Sequence, residues 1–152
     1  ANATIHIDGE AGDIVLRNAD CAEDFELAPD CPVDAGTVVA LDDEGRLRPS
    51  RAPYDRRVAG VISGAGDLRP GIVLGRRPDR SGVPLALAGR VNCRVATSAG
   101  AIAAGDLLTT SEVPGHAMKA ADPGRAFGSV IGKALRPLVT GTDLIPVLVA
   151  LQ

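Results

Sequence analysis

Apolar residues along this chain fall in short aliphatic runs separated by Gly, Pro and Asp, and no segment holds a helical period for three turns. Residues 4–8 (Thr-Ile-His-Ile-Asp) and 13–17 (Asp-Ile-Val-Leu-Arg) read as strands joined by the turn-prone Gly9-Glu10-Ala11-Gly12. From Gly36 the pattern becomes regular. Thr37–Leu41 predicts a strand, Asp42–Gly45 a hairpin turn and Arg46–Arg48 the return, ended by Pro49. Further strands read at Gly71–Leu74, Val83–Ala88, Gly89–Ala96 and Leu107–Thr110, with others at Val58–Ile62, Ala117–Ala120, Gly128–Ala134 and Leu144–Leu151. Short strands at this spacing predict an all-β fold, a compact sandwich or barrel rather than βαβ units. Gly60, Gly89, Gly105, Gly128 and Gly132, within or beside strands, mark bulges and bends.

Residues 1–19 hold too few strands to bury a core, so they read as a stalk-like β segment ahead of a domain over 20–152. Residues 3–17 are expected to lie in a homo-oligomer interface, because they alternate like strands yet lack neighbours in their own chain. Ala35-Gly-Thr-Val-Val39 loosely echoes Ala104-Gly-Asp-Leu-Leu108, which two related hairpin modules in one barrel would explain and so would chance. The expected core is Val38, Leu41, Val58, Val61, Ile62, Leu85, Leu87, Val91, Val95, Leu107, Val130, Ile131, Leu135, Val147 and Val149. Each would contribute ~1.5–3 kcal/mol on burial.

Composition narrows the functions. The 152 residues include only Phe25, Tyr54 and Phe127 as aromatics, too few for the stacking platforms of single-strand nucleic-acid binders. A net charge of −3 and a pI near 5.3 give no electrostatic reason to expect nucleic acid or anionic membrane as partner. No apolar run approaches the ~18 residues of a membrane span. Cys21, Cys31 and Cys93 fit one disulfide plus a thiol, or three thiols; with no C-x-x-C pair beside His6 or His116, neither a metal site nor a cofactor is expected. His116, in Pro-Gly-His-Ala-Met, reads as a turn histidine bonded to backbone.

The chemistry concentrates in Asn18-Ala-Asp-Cys-Ala-Glu-Asp-Phe-Glu26, where Asp20, Cys21, Glu23, Asp24 and Glu26 crowd together. Two crowded carboxylates resist simultaneous ionisation, so one stays protonated as an acid while the other serves as a base. On a turn, Asp20 and Glu23 lie on one side; on a strand they face opposite ways. Asn18 is a candidate donor to an oxyanion. Cys21 is a poor nucleophile, since acidic neighbours disfavour its thiolate. The plain alternative is a capping or solvated turn.

That string, followed by the strand–turn–strand of Gly36–Leu47 and by Val58-Ala-Gly-Val-Ile-Ser-Gly64, resembles a phage family. The family is the self-cleaving intramolecular chaperone domain at the C-terminus of neck-appendage and tail-spike proteins, classed as a glutamic peptidase. Leu85-Ala-Leu-Ala-Gly-Arg-Val91 and Gly105-Asp-Leu-Leu108 are also similar to its strands. The resemblance implies a homotrimer at the end of a fibre, in a phage particle or a phage-derived bacterial appendage. It also implies cleavage at Ala19–Asp20 by Asp20 and Glu23. Ala19 stands where those members carry Ser, and Cys21 where they carry an aromatic. The alternatives are a non-catalytic head that binds a host receptor or glycan, and a capsid-decoration-like structural protein.

Overall fold

The computed structural model describes residues 5–76 and 81–150; Ala3, Thr4 and Leu151, at the ends of expected segments, lie outside the described residues. Among the described residues, strands β1 (Ile5–Asp8) and β2 (Asp13–Leu16) pair only with each other, as an antiparallel ribbon. The remaining strands are β3 (Asp20–Glu26), β4 (Val38–Leu41), β5 (Leu47–Pro49), β6 (Val58–Val61), β7 (Pro70–Leu74), β8 (Gly82–Ala96), β9 (Leu107–Thr110), β10 (Ala117–Lys119), β11 (Val130–Ala134) and β12 (Thr142–Val149). The fold is all-β, as the alternation predicts. A single helical turn, α1 (Pro123–Ala126), starts where the Asp122 carboxylate accepts the Gly124 N–H, with proline in the first turn. Among the described residues no helix is long and apolar enough to cross a membrane.

Strand β8 organises the molecule. The sequence reads it as two strands meeting at Gly89; it is one, and each half serves a different ring of strands. Its second half joins β12, β11, β9 and β10 in an antiparallel run that closes into a barrel through a parallel Val95–Ala117 bridge. Its first half pairs antiparallel with β3 and meets the β5-β4-β6 sheet through an Ile62–Leu85 bridge. A parallel Leu27–Leu47 bridge closes that second ring.

The two rings are the same unit used twice. The N-terminal unit runs β3, β4, β5, β6 and the first half of β8; the C-terminal unit runs the second half of β8, then β9, β10, β11 and β12. A bulge recurs at matching positions: Val39 faces Gly60 and Ala40 faces Val58 in one, Leu108 faces Gly132 and Thr109 faces Val130 in the other. Backbone bonds match too, with Ser50 N–H donating to Val38 at 2.9 Å and Ala120 N–H donating to Leu107 at 2.8 Å. The echo between residues 35–39 and 104–108 leads into β4 and β9, the second strand of each unit.

The expected core is buried at Val38, Val61, Ile62, Leu85, Val91, Val95, Val130, Ile131, Val147 and Val149, and half-buried at Leu41 and Val58. Leu87, Leu107 and Leu135 are exposed, a correction with a local cause each. Leu87 is the extra residue of a bulge opposite β3, β9 turns Leu108 inward instead of Leu107, and Leu135 follows the end of β11. Leu47, Leu108, Ile102, Ile145 and Cys93 are buried as well. All three cysteines are free thiols, and burial pushes the Cys93 thiol up to about 12.

Candidate functional site

The acidic string is a strand, not a turn. Its acidic residues favour neither form strongly, but β7 pairs with it on one side and β8 on the other, and that pairing decides the matter. Strand alternation then separates the two candidate catalytic carboxylates. Asp20 and Ala22 turn into the protein, while Glu23 is half-buried on the opposite face. There Glu23 lines an acidic cleft of about 360 Å³ with Asp24, Glu26, Glu44, Arg46 and Gly75.

Asp20 is 4% exposed. Its Oδ1 accepts the Ser63 hydroxyl at 2.9 Å, and its buried Oδ2 has no hydrogen-bond partner among the described residues. Burial raises its pKa above the ordinary carboxylate value, and the Ser63 bond only partly opposes this. A protonated carboxyl suits such a place, since an ionised one would leave a charge without compensation.

Residue Ala19 is held between neighbours on both sides, and its carbonyl is that of the Ala19–Asp20 peptide. Ala19 N–H donates to the Arg69 carbonyl at 2.9 Å, and the Ala19 carbonyl accepts from Arg90 N–H at 3.0 Å. Gly89 makes that approach possible: at φ +110° and with no Cβ, it lets Ala19 and Asp20 lie against β8, where an added Cβ would sit 2.5 Å from the Ala19 oxygen. Asn18 is exposed and donates its side-chain amide to the Pro70 carbonyl at 3.2 Å, not to the Ala19 carbonyl. The arrangement thus supplies one buried acid and a peptide carbonyl held by β8, and among the described residues no carboxylate is hydrogen-bonded to that acid.

Ser63 and Gly89, which build this pocket, were not legible as partners of Asp20. Ser63 stands in the Val-Ile-Ser-Gly string, where nothing local marks it as facing a carboxylate 43 positions away. His116 Nδ1 bonds the Pro114 carbonyl at 2.8 Å, the backbone role expected of it. Among the described residues no group of three His, Cys, Asp or Glu side chains is placed to hold a metal ion.

The ribbon is the second candidate. Ile5 stands opposite Leu16 and Ile7 opposite Ile14, so one face is wholly aliphatic while His6, Asp8 and Asp13 take the other with Val15. Ile7 is 71% and Ile14 65% exposed. The ribbon rejoins the body where Leu16 lies over Gly71 at the start of β7. No protein-family model matches the chain, and no curated protein matches it significantly.

Proposed function

We propose that this chain is an assembly module, a homotrimerising domain of a fibre- or tail-spike-type protein in a phage particle or related bacterial appendage. In this reading it associates through its N-terminal ribbon and leaves its own Ala19–Asp20 bond intact. The aliphatic face of the ribbon carries the reading. A lone two-stranded ribbon is marginal in water, and three exposed isoleucines on it are a standing cost that contact with other copies removes. Burying each one is worth ~1.5–3 kcal/mol, enough in several copies to offset the loss of freedom on association. The number three rests on the resemblance to the phage chaperone domains.

Separation of Asp20 from Glu23, with the Asn18 amide committed to Pro70, favours a relative that assembles without cutting. Analytical ultracentrifugation tests the assembly: the chain should sediment as a trimer, and the double variant Ile7→Asp, Ile14→Asp as a folded monomer. A wild-type monomer with an ordered ribbon would count against it. Intact-mass measurement through ageing tests the second half, and fragments separated at Ala19–Asp20 would refute it.

A further inference from the structure

The two units differ in one surface that should be alike. In the N-terminal unit, the seat formed by Val38, Ser50 and Val58 is filled from within the chain. The β9–β10 turn enters it: Val38 N–H donates to the Gly115 carbonyl, and Gly115 N–H donates to the Ser50 carbonyl, both at 2.9 Å. The fit is close, since a Cβ on Gly115 would come 2.9 Å from the Thr37 methyl.

The matching positions of the C-terminal unit are Leu107, Ala120 and Val130. They line an apolar cleft of about 320 Å³ with Pro123, Ala126 and Phe127. Among the described residues no turn enters it, and Phe127 is 86% exposed at its edge. The turn that corresponds to the β9–β10 plug is the β4–β5 turn, in which Gly45 matches Gly115: each stands two residues before the residue that pairs with the end of β4 or of β9. Their φ angles are +78° and +70°. Gly45 is exposed and its Cβ position meets nothing within 4 Å.

We propose that the Phe127 cleft receives the β4–β5 turn of a second copy of this chain, repeating between molecules the contact that joins the two units within one. Charge supports the match. The turn carries Asp42, Asp43 and Glu44, with Arg46 and Arg57 as their only cationic partners among the described residues. The cleft is flanked by Lys133, directly across from Leu107, by Arg125 and by Arg56, whose side chain reaches Gly128. None of these three cations pairs with a carboxylate among the described residues. Such a contact is head-to-tail, so it closes into a ring when the rotation per copy permits, a trimer included. It uses no residue of the ribbon and goes beyond the ribbon interface proposed above.

The test places a photoreactive benzoylphenylalanine at position 127 of the full chain, followed by irradiation and mapping of cross-linked peptides. Cross-links to residues 40–48 of another copy are expected; cross-links confined to one chain, or landing elsewhere on the second copy, overturn the proposal. Sedimentation of Ala120→Trp, which fills the cleft from its half-buried rim, separates this surface from the ribbon. With circular dichroism unchanged, at least tenfold weaker association is expected. If Ala120→Trp assembles like wild type while the ribbon variant dissociates, the cleft proposal fails and the ribbon stands. The reverse result removes the ribbon and supports the cleft.

Discussion

The two units share a strand order, a bulge and a parallel closing bridge, yet they are closed to different degrees. The C-terminal barrel is sealed along β8 and β12 by a ladder running from Thr142 to Val149, and its interior is lined with fully buried aliphatic residues. The N-terminal ring has a matching ladder between β3 and β8, and both rings close on a lone parallel bridge, but its β6–β8 seam is the single bridge Ile62–Leu85 where the C-terminal unit has the β11–β12 ladder. Its own buried cluster is Val39, Leu47, Ile62 and Leu85, rimmed by half-buried Phe25, Leu27 and Val83. Val38, Val61 and Ala86 of this unit instead face the neighbouring core. The looser unit also holds the buried acid, the acidic cleft and the root of the ribbon. One topology thus serves two ends: closure gives a stable base, and incomplete closure leaves room for ionisable groups and contacts.

The largest expected effects test that division. Ile145→Ala, in the sealed barrel, should remove about 3–5 kcal/mol from the urea unfolding free energy and lower protection from hydrogen exchange throughout the chain. Leu47→Ala, in the lightly closed ring, should cost about 2–3 kcal/mol, because the ring can collapse around the gap, with exchange rising mainly over residues 38–62. Equal effects at the two sites would erase the distinction. Gly89→Ala tests the strand the units share. Its methyl would collide with the Ala19 carbonyl and the Asp20 backbone, so β3 must leave β8 at its start. A loss of ~2–4 kcal/mol follows, with exchange first appearing at Asp20–Glu23.

Much of this was legible in the chain. Strands β4 to β12 declare themselves through aliphatic runs between Gly and Pro, because a core built without aromatics must use many short β-branched segments. Strand β3 was not legible. Its side chains are mostly ionisable, and only the flanking β7 and β8, remote in sequence, make it extended. The same remoteness hid Ser63 from Asp20. At Leu107 the run Leu-Leu-Thr-Thr gives no phase, so which leucine turns inward depends on the register with β11. The duplication was visible only as the echo before β4 and β9. What the units share is backbone geometry, a bulge and a closing bridge, which many different side chains satisfy.

A smaller effect concerns the looser unit's buried acid. The pKa of Asp20 is raised in the folded chain, chiefly by burial. Below the unfolded carboxylate value of about 3.8 both states hold the proton, and burial of the neutral acid is tolerated. As pH rises through the folded value the unfolded chain ionises first, so stability is lost in that window. Asp20→Asn keeps the shape and cannot ionise. Thermal melts between pH 3.5 and 7 should show wild type losing stability relative to the variant as pH rises. Parallel curves would mean that Asp20 ionises freely in the folded chain.

The smallest effect lies where the two units touch through matching connectors. The loop between β5 and β6 carries Tyr54, held at φ +57°, and the connector between β10 and β11 carries α1. Tyr54 N–H donates to the Thr110 carbonyl at 3.2 Å, its hydroxyl accepts the Asp122 N–H at 2.8 Å, and the Arg125 guanidinium lies 4.4 Å from its ring centre. The aromatic ring and the cation are exposed to solvent on one side, so the contact should be worth ~0.5–1 kcal/mol. A double-mutant cycle with Tyr54→Leu and Arg125→Gln isolates it from the hydroxyl bond, which Tyr54→Phe removes alone. A coupling energy near 0.5 kcal/mol or above would show that the connectors help fasten one unit to the other. A coupling indistinguishable from zero would leave the Gly115 plug and β8 to join them unaided.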